Sequence, residues 1–299
     1  MFGLLTLLSA PALATIDPEC EGIPIPDDYN EQRQADFLNN FAALSTTFSP
    51  IHGPIPHKAG NAAIGIDVLG IPRLGCEERY VLNWTKTEDV NKTPVAPRLR
   101  FTVSTHKLGK RVTPYLGVGY IPPVTVAGVR SVILSYEMGL GIQYGRIQGG
   151  VRYHATMQKT VGDTAGAFSE DQPVYDDLFV GSTMGLDLLG GLPLGERVLG
   201  PVTFNELTPY VSLGLLDAST FYWIGDDGYV SDNLHPYFGP AISLGLDLLA
   251  LKRVRFGGEF YAAPGGYKVP ETTRVVDSSA QAWKYGRLYT ARFRIGVEW

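Results

Sequence analysis

A strict two-residue alternation of apolar and polar side chains is the feature that most constrains this sequence. The last eleven residues divide into two sets, Tyr289, Ala291, Phe293, Ile295, Val297 and Trp299 against Thr290, Arg292, Arg294, Gly296 and Glu298. Successive side chains of a β-strand point to opposite faces, so this segment predicts a strand with one apolar and one charged face. Segments 134–144 and 147–157 alternate in the same way, and only Gly145-Arg146 separates them, the length of a two-residue hairpin. The pattern predicts an all-β, antiparallel, up-and-down fold.

Further segments fit the alternation less regularly but extend it over most of the chain. They are residues 61–72, 78–87, 97–106, 112–120, 177–189, 208–217, 236–249 and 253–262. A weaker candidate, residues 37–48, alternates poorly, and only its length and threonine content favour a strand. Together these segments predict about twelve strands, with ten or fourteen as alternatives. Short connections alternate with long ones, and residues 190–207 are the exception.

Two kinds of β fold alternate in this way, and the polar faces distinguish them. A soluble β-sandwich packs Val, Ile and Leu faces against each other and exposes polar residues such as Lys, Glu and Thr. Here the polar faces are Gly, Ser, Gln and Tyr with occasional Arg or Glu, and Tyr, Trp or Met stands at the ends of the apolar faces. Aromatic residues at strand ends are typical of a membrane interface. Because a bilayer tolerates no open sheet edge, the sequence predicts a closed transmembrane β-barrel.

Composition supports this interpretation and excludes other classes. Charged residues make up 18% of the chain, and its mean hydropathy is +0.01. No window reaches the roughly 18 consecutive apolar residues of a membrane-spanning helix. The net charge of −5 argues against a nucleic-acid-binding protein, which needs clustered Lys and Arg. An arginine turned towards lipid near the midplane costs about 2–4 kcal/mol, so Arg292 and Arg294 are expected to face the lumen.

The C-terminal segment resembles the assembly signal of Gram-negative outer-membrane β-barrel proteins, which ends in alternating apolar residues and a terminal aromatic residue. The residues that carry the resemblance are Tyr289, Phe293, Ile295, Val297 and Trp299. The resemblance identifies the class and no family within it. It implies a location in the bacterial outer membrane, contact with outer-membrane lipid and insertion by the barrel assembly machinery. It also implies that short turns and both termini face the periplasm, while long loops face outside.

The N-terminus predicts an export signal. Residues 1–14 are apolar and end in Ala12-Leu13-Ala14, a small-x-small cleavage site, so we expect the mature chain to begin at Thr15. A buried N-terminal strand or helix is the alternative. The expected regions are therefore a signal peptide over 1–14, a periplasmic segment over 15–36 and the barrel over 37–299.

Export also predicts how the cysteines are used. In an oxidising compartment Cys20 and Cys76 are expected to form one disulfide, because the chain has two Cys residues. Counting strands back from the C-terminus places Cys76 in a short periplasmic turn, on the same side as Cys20. Such a disulfide would pin residues 15–36 beneath the barrel or in its mouth.

Charged residues on the polar faces are the candidate functional residues, because they are expected to line the lumen. They are Arg98, Arg100, Glu137, Arg152, His154, Asp187, Asp247, Arg255, Glu259, Arg292 and Arg294. They favour a channel for passive diffusion or transport of small solutes, whose charges select what passes. The alternative is that they pair inside a closed lumen, in a structural or surface-interaction protein recognised through its long loops. The predicted strand count leaves both open, because eight strands enclose little beyond side chains and sixteen leave an aqueous channel.

An outer-membrane enzyme is the third hypothesis. Ser104 and His106 lie two residues apart, as a hydrolase pair could, but no acidic partner is identifiable, so we expect no enzymatic activity. The Cys and His residues form no zinc-type cluster, and the sequence contains no phosphate-binding Gly loop. We therefore expect neither a metal site nor a cofactor.

Overall fold

The computed structural model describes residues 16–27, 29–81, 84, 86–88, 90–92, 94–126, 129–163, 176–199, 202–224, 229–266 and 286–299. The expected signal peptide, residues 1–14, lies outside the described residues. Within them, ten strands form one closed antiparallel barrel. The strands are β1 (Ala62–Gly70), β2 (Val95–Ser104), β3 (Val112–Val126), β4 (Val129–Tyr144), β5 (Ile147–Asp163), β6 (Asp176–Gly191), β7 (Val202–Ile224), β8 (Phe238–Ala250), β9 (Val254–Ala263) and β10 (Leu288–Glu298).

Each strand pairs with its neighbours along the chain, and β10 closes the barrel by pairing with β1. At this seam Gly65 lies opposite Gly296 and Asp67 lies opposite Arg294. Two short strands, Arg197–Leu199 and Tyr229–Asp232, extend β7 as hairpins beyond the barrel. The predicted transmembrane barrel is therefore confirmed, with ten strands, one of the alternative counts.

The two faces of the wall have opposite chemistry. Along β10, Phe293 and Ile295 are 58% and 51% exposed, whereas Arg292 and Arg294 are 0% and 3% exposed. This is the reverse of a soluble protein, which buries its apolar face. The exposed apolar face suits lipid, and it satisfies the cost argument that turned the two arginines inward. No helix in the described residues is long and apolar enough to span a membrane.

Residues 37–48, expected to be a barrel strand, are helical over most of their length. They lie largely in α1 (Glu31–Thr46), which begins at the N-cap residue Asn30. The Asn30 side-chain oxygen accepts a hydrogen bond from the Arg33 backbone N–H at 2.9 Å, which satisfies one of the unpaired donors at the helix start. The strand prediction for this segment is therefore wrong.

The apolar residues of α1 explain why its alternation was poor. Phe37, Phe41 and Leu44 follow the i, i+4, i+7 spacing of one helical face. This face packs inside the barrel, where the helix contacts β6 and β7. The apolar core around it includes Phe179, Leu216, Ala218, Tyr237, Ala241 and Tyr261. The apolar residues of the strands that face the lumen here therefore pack against α1, a helix that the strand pattern did not predict.

Residues 78–87 are likewise not a barrel strand. They contain two short strands, Tyr80–Val81 and Lys86–Thr87, which among the described residues pair with each other and with no barrel strand. Trp84 lies in the turn between them with a φ of 69°. Residues 71–94 are thus one long connection between β1 and β2.

The absence of a barrel strand over residues 78–87 reverses the expected direction of β1. β1 runs antiparallel to β10, so the end of the barrel at which β1 starts is the end at which β10 finishes, and Ala62 and Trp299 exchange backbone hydrogen bonds there. We call this the turn end, because the connection 145–146 and residues 251–253 also lie there; the opposite end, with the connection 71–94, is the loop end. Cys76 therefore lies at the loop end, and its expected place in a short turn beside the C-terminus is wrong.

Residues 31–60 thread the barrel from the loop end to the turn end. Near the start of this segment, Asn40 bonds with His235 and Tyr237, which lie between β7 and β8 at the loop end. At its finish, Gly60 and Asn61 bond with Ser104, the last residue of β2, at the turn end. The expected boundary at residue 37 therefore separates parts of one lumen-filling segment, which we call the plug (residues 31–60).

Candidate functional site

All eleven predicted lumen residues lie on inward faces and are buried. Their exposed fractions range from 0% for Arg98, Arg152 and Arg292 to 5% for Glu259. The strands bring them together around residues 44–57 of the plug. Strand alternation predicted their direction, but the segment that they surround was not predicted.

Five arginines of β2, β5 and β10 form one cluster, which we call the positive sector: Arg98, Arg100, Arg152, Arg292 and Arg294. Four of them donate hydrogen bonds to plug carbonyl oxygens: Arg292 to Leu44 (3.1 Å) and Thr47 (2.8 Å), Arg98 to Thr46 (3.1 Å), Arg152 to Phe48, and Arg100 to Ser49 (2.9 Å) and Pro50 (2.8 Å). The last carbonyls of a helix have no partner within it and carry its negative dipole end, so cations there are stabilising. The positive sector thus binds the C-terminal carbonyl groups of α1 and those of the residues that follow it, up to Pro50.

The ring of Phe48 lies among the same arginines. The guanidinium carbons of Arg100 and Arg98 are 3.9 Å and 4.4 Å from the ring centroid, and that of Arg152 is 5.6 Å away. Cations at these distances are attracted to the negative face of an aromatic ring, and the attraction strengthens when water is excluded. Phe48 is therefore held through its side chain as well as its carbonyl, while Ser49 and Pro50 are held by Arg100 through their main chain.

Carboxylates of β1, β4 and β6 pair with part of the positive sector. Asp67 lies 3.3 Å from both Arg98 and Arg100, and Glu137 bridges Arg100 and Arg152. Asp187 lies 2.6 Å from Arg152 and 3.5 Å from His154. Among the described side chains, Arg292 and Arg294 have no carboxylate within ion-pair distance. The positive sector therefore sets five guanidinium groups against three carboxylates.

A second cluster, on β8, β9 and β10, has the opposite charge. Arg255 pairs with Asp247 at 2.7 Å and with Glu298 at 3.0 Å. Glu259 accepts a hydrogen bond from the Ile51 N–H at 3.1 Å, and Asp247 accepts one from the Gly53 N–H at 3.1 Å. Plug carbonyls thus face arginines and plug N–H groups face carboxylates, so the lumen complements the polarity of the peptide backbone and satisfies buried groups that need partners.

A connected hydrogen-bond chain fixes the plug near the turn end. His57 Nδ1 lies 3.1 Å from a Glu298 carboxylate oxygen, and His57 Nε2 lies 2.8 Å from Thr102 Oγ. Thr102 Oγ also accepts from Arg294 at 2.7 Å, so the hydroxyl proton is free to be donated to His57. A neutral His57 that donates from Nδ1 and accepts at Nε2 satisfies all three contacts.

A disulfide between Cys20 and Cys76 ties the N-terminal residues to the connection 71–94, as the sequence predicted. Arg79 joins the same two segments, because it pairs with Asp17 and Glu19, each at 2.7 Å. We call this disulfide-linked structure (residues 16–27 and 71–94) the cap. It lies over the loop end of the barrel.

Aromatic residues form the interior of the cap. The ring of Trp84 stacks on that of Tyr80 with centroids 3.9 Å apart, and its Nε1 donates to the Ile23 carbonyl at 3.0 Å. Tyr80 donates its hydroxyl proton to the carbonyl of Cys20. The cap therefore has its own small core, separate from the contacts inside the lumen.

Asp36 connects the first turns of α1 to the loop end. Its carboxylate accepts a hydrogen bond from the Leu234 N–H at 2.9 Å and lies 2.6 Å from His235 Nδ1. Burial raises the pKa of the Asp36 carboxyl, and hydrogen bonds from His235 and Gln32 oppose that rise. The part of the plug nearest the loop end is thus fixed by polar contacts as well as by apolar packing.

Sequence reasoning missed several lumen residues. Asp67 lies within Gly65-Ile66-Asp67-Val68-Leu69, and its pattern recurs around Asp187 and Asp247, so this repeat could have identified it. Glu298 alternates in phase with Arg292 and Arg294, which is a second usable signal. The partners in residues 44–53 left no signal, because most of their contacts use the main chain.

The Ser104 and His106 pair is not assembled as a catalytic site would require. Ser104 is buried on an inward face, whereas His106 is exposed beyond the end of β2. The five residues of the predicted assembly signal lie on the outer face, and Trp299 is 60% exposed.

Comparisons with known proteins leave the family open. No family model matches the chain, and no curated protein matches it. A solved structure, the translocator domain of the autotransporter NalP from Neisseria meningitidis, aligns with 80% of this chain and 88% of its own length, at 12% identity and a TM-score of 0.37. The class follows from the chain itself: a closed antiparallel barrel with an apolar exterior and a charged interior is the architecture of a Gram-negative outer-membrane β-barrel protein.

Proposed function

We propose that this protein is a structural or surface-interaction protein of the outer membrane with a closed lumen, and that it is not an enzyme. The observation that carries the proposal is the burial of its lumen charges. In an open aqueous channel, inward-facing arginines and carboxylates would be in contact with water. Here Arg98, Arg152 and Arg292 are 0% exposed, although they face the centre of the barrel.

The contacts of the plug support a closed state at rest. Four arginines and two carboxylates bond its main chain between Leu44 and Gly53. Removing the plug without replacing these bonds would leave buried ionised groups unpaired, at a cost of several kcal/mol per ion. Passive diffusion of small solutes through a permanently open lumen is therefore the less favoured function.

The cap is the proposed interaction surface. Short turns of outer-membrane barrels face the periplasm and longer loops face outside, so we assign the turn end and Trp299 to the periplasm. The cap, at the opposite end, is then on the cell surface. This assignment keeps the C-terminus in the periplasm but places residues 16–27 outside, in contrast to the expected periplasmic segment 15–36. The other proposed partners are outer-membrane lipid, around the exposed apolar face of the barrel, and the barrel assembly machinery, which would bind Trp299.

Conductance of the purified full-length chain in planar lipid bilayers tests the closed lumen. Heat-modifiable migration on a gel first establishes that the sample is folded. We expect no current above that of the detergent blank in the oxidised protein. Steady current through the folded, oxidised protein would instead establish a diffusion channel and overturn the proposal.

A further inference from the structure

The connectivity of the plug points to a conditional activity. We propose that the Cys20–Cys76 disulfide locks the plug, and that its reduction by a dithiol lets the plug leave through the loop end and opens a pathway for small ions. The inference rests on the closed lumen of the proposed function and goes beyond it, since it adds a second, conducting state.

The first argument is that the plug is covalently held at both ends. At the turn end it continues into β1 through Asn61 and Ala62, so it cannot leave the barrel in that direction. At the loop end Cys20 is bonded to Cys76, which follows β1 on the wall. The sequence from 20 to 76 is therefore a closed covalent ring that runs down the lumen and returns along β1. Breaking the disulfide is the change that frees one end.

The second argument is the nature of the contacts between Thr46 and Gly53. Apart from the ring contacts of Phe48, they are mainly hydrogen bonds between charged side chains and main-chain atoms, such as those of Arg100 with Ser49 and Pro50. Water can replace each of these partners, and the side chains regain hydration when it enters. The apolar face of α1, with Phe37, Phe41 and Leu44, is the part of the plug that would expose apolar surface on leaving. The main-chain hydrogen bonds of the plug between Thr46 and Gly53 can thus be replaced by hydrogen bonds with water.

The third argument concerns the chemistry of the lock. Cys76 is partly exposed, whereas Cys20 is 0% exposed, so an incoming thiolate has access to the Cys76 sulfur. Attack there forms a mixed disulfide with Cys76 and expels Cys20 as a thiolate, and the second thiol of the reagent then releases Cys76. Two electrons and two protons pass to the cysteines, and the reagent becomes a disulfide.

Charges around the sulfur atoms suit this step. Arg79 Nη1 lies 3.9 Å from the Cys20 sulfur and is positioned to stabilise the departing thiolate. The Glu19 carboxylate lies within 4.8 Å of both sulfur atoms, but it is paired with Arg79 and Arg73. A neutral or weakly charged dithiol is therefore the suitable reductant.

The fourth argument concerns which ions would pass. The positive sector holds five guanidinium groups against Asp67, Glu137 and Asp187, and the plug carbonyls occupy much of its remaining donor capacity. Within the described part of the chain, Arg294 Nε and Nη1 have no hydrogen-bond partner. Loss of the plug would add Arg292 to these unpaired donors. The second cluster lines the same lumen with Asp247, Glu259 and Glu298 against Arg255. Over the two clusters six arginines face six carboxylates, so charges of both signs would line the opened pathway, which suits small ions.

The experiment measures current through the full-length protein in planar bilayers of KCl, before and after a dithiol is added on the side of the cap. Alkylation mass spectrometry establishes that Cys20 and Cys76 are free. We expect silence before reduction and current after it. The variant with Cys20→Ser and Cys76→Ser should conduct without reductant. Because this variant could fail to fold, reduction of the native protein is the primary measurement.

Selectivity provides the second measurement. In the reduced protein under a KCl gradient, Arg292→Gln with Arg294→Gln should shift the reversal potential towards that of potassium, because it leaves an excess of carboxylates in the lumen, whereas Arg146→Gln, in the exposed hairpin turn, should leave it unchanged. Silence of the reduced protein with both thiols free would overturn this inference and leave the closed-lumen proposal intact. Current before reduction would overturn the closed-lumen proposal. A reversal potential that the two lumen substitutions leave unchanged would show that the current does not pass through the lumen, and it would overturn this inference.

Discussion

Arg100 on the barrel wall donates a hydrogen bond of 2.8 Å to the carbonyl oxygen of Pro50 in the plug. The same guanidinium pairs with Asp67 and Glu137, so one side chain links β1, β4 and the plug. Arg100 binds the main-chain carbonyl of Pro50, a group that any residue at this position would supply. The relationship therefore shows how the wall holds a segment that carries little recognisable pattern in its sequence.

Arg100→Ala should destabilise the folded barrel strongly. Removing one partner of a buried ion pair leaves the other charge unpaired, at about 3–5 kcal/mol. The midpoint of urea unfolding in detergent, followed by tryptophan fluorescence, measures the effect. Arg146→Ala is the matched control, because Arg146 is exposed in the hairpin turn and its removal should change stability by less than about 0.5 kcal/mol. Equal effects of the two substitutions would contradict the central position of Arg100.

Phe48→Leu should weaken the plug while preserving most of its apolar volume. The leucine keeps the packing but loses the attraction between the ring and Arg98 and Arg100, about 0.5–2 kcal/mol at a desolvated site. Phe260→Leu, on the lipid face, controls for loss of an aromatic ring at an exposed position. Unfolding midpoints that shift equally would show that Phe48 contributes only apolar area.

Gly65→Ala should impair closure of the barrel at the seam of β1 and β10. A Cβ atom at Gly65 would lie 2.5 Å from the Ile295 carbonyl oxygen and 2.9 Å from the Gly296 Cα, and both are backbone atoms that cannot move aside independently. Gly258→Ala is the control, because its nearest neighbour would be the Phe293 ring at 3.7 Å. The yield of heat-modifiable barrel should fall for the first variant and stay near the native level for the second.

The sequence predicted the wall of this barrel far better than its contents. In β10, lipid and lumen impose opposite requirements on adjacent positions, so Phe293 and Arg294 alternate without exception. The physical constraint on a wall residue is thus visible in its residue type. The direction of Arg98, Glu137 and Asp247 followed from the same alternation.

The plug could not be predicted by that reasoning, for two physical reasons. Phe37, Phe41 and Leu44 meet an apolar core inside the barrel, so their helical spacing was hidden within a sequence dominated by a period of two. Ser49 and Pro50 bind through carbonyl oxygens, which every residue has. The error at residues 78–87 then reversed β1 and moved Cys76 to the wrong end, because each added strand inverts the strand before it.

Ile295→Arg should prevent stable insertion of the barrel. Ile295 is 51% exposed on the lipid face, and a lipid-facing arginine near the midplane costs about 2–4 kcal/mol. Ile295→Leu keeps the apolar face and should insert normally. The measurement is the free energy of unfolding in lipid vesicles, and an arginine variant as stable as the leucine variant would show that this face is not in contact with lipid.

Trp299→Ala should reduce delivery of the barrel to the outer membrane more than it reduces the stability of the folded protein. Trp299 is 60% exposed at the turn end and makes its backbone bonds with Ala62 through main-chain atoms that alanine retains. If the barrel assembly machinery binds the Trp299 side chain, the substitution should lower the amount of folded barrel in the outer membrane. The variant refolded into detergent should have a nearly unchanged unfolding midpoint. Trp223→Ala, on β7 and 41% exposed, removes an indole elsewhere on the wall. Equal losses of membrane yield for the two variants would assign Trp299 to the aromatic girdle alone.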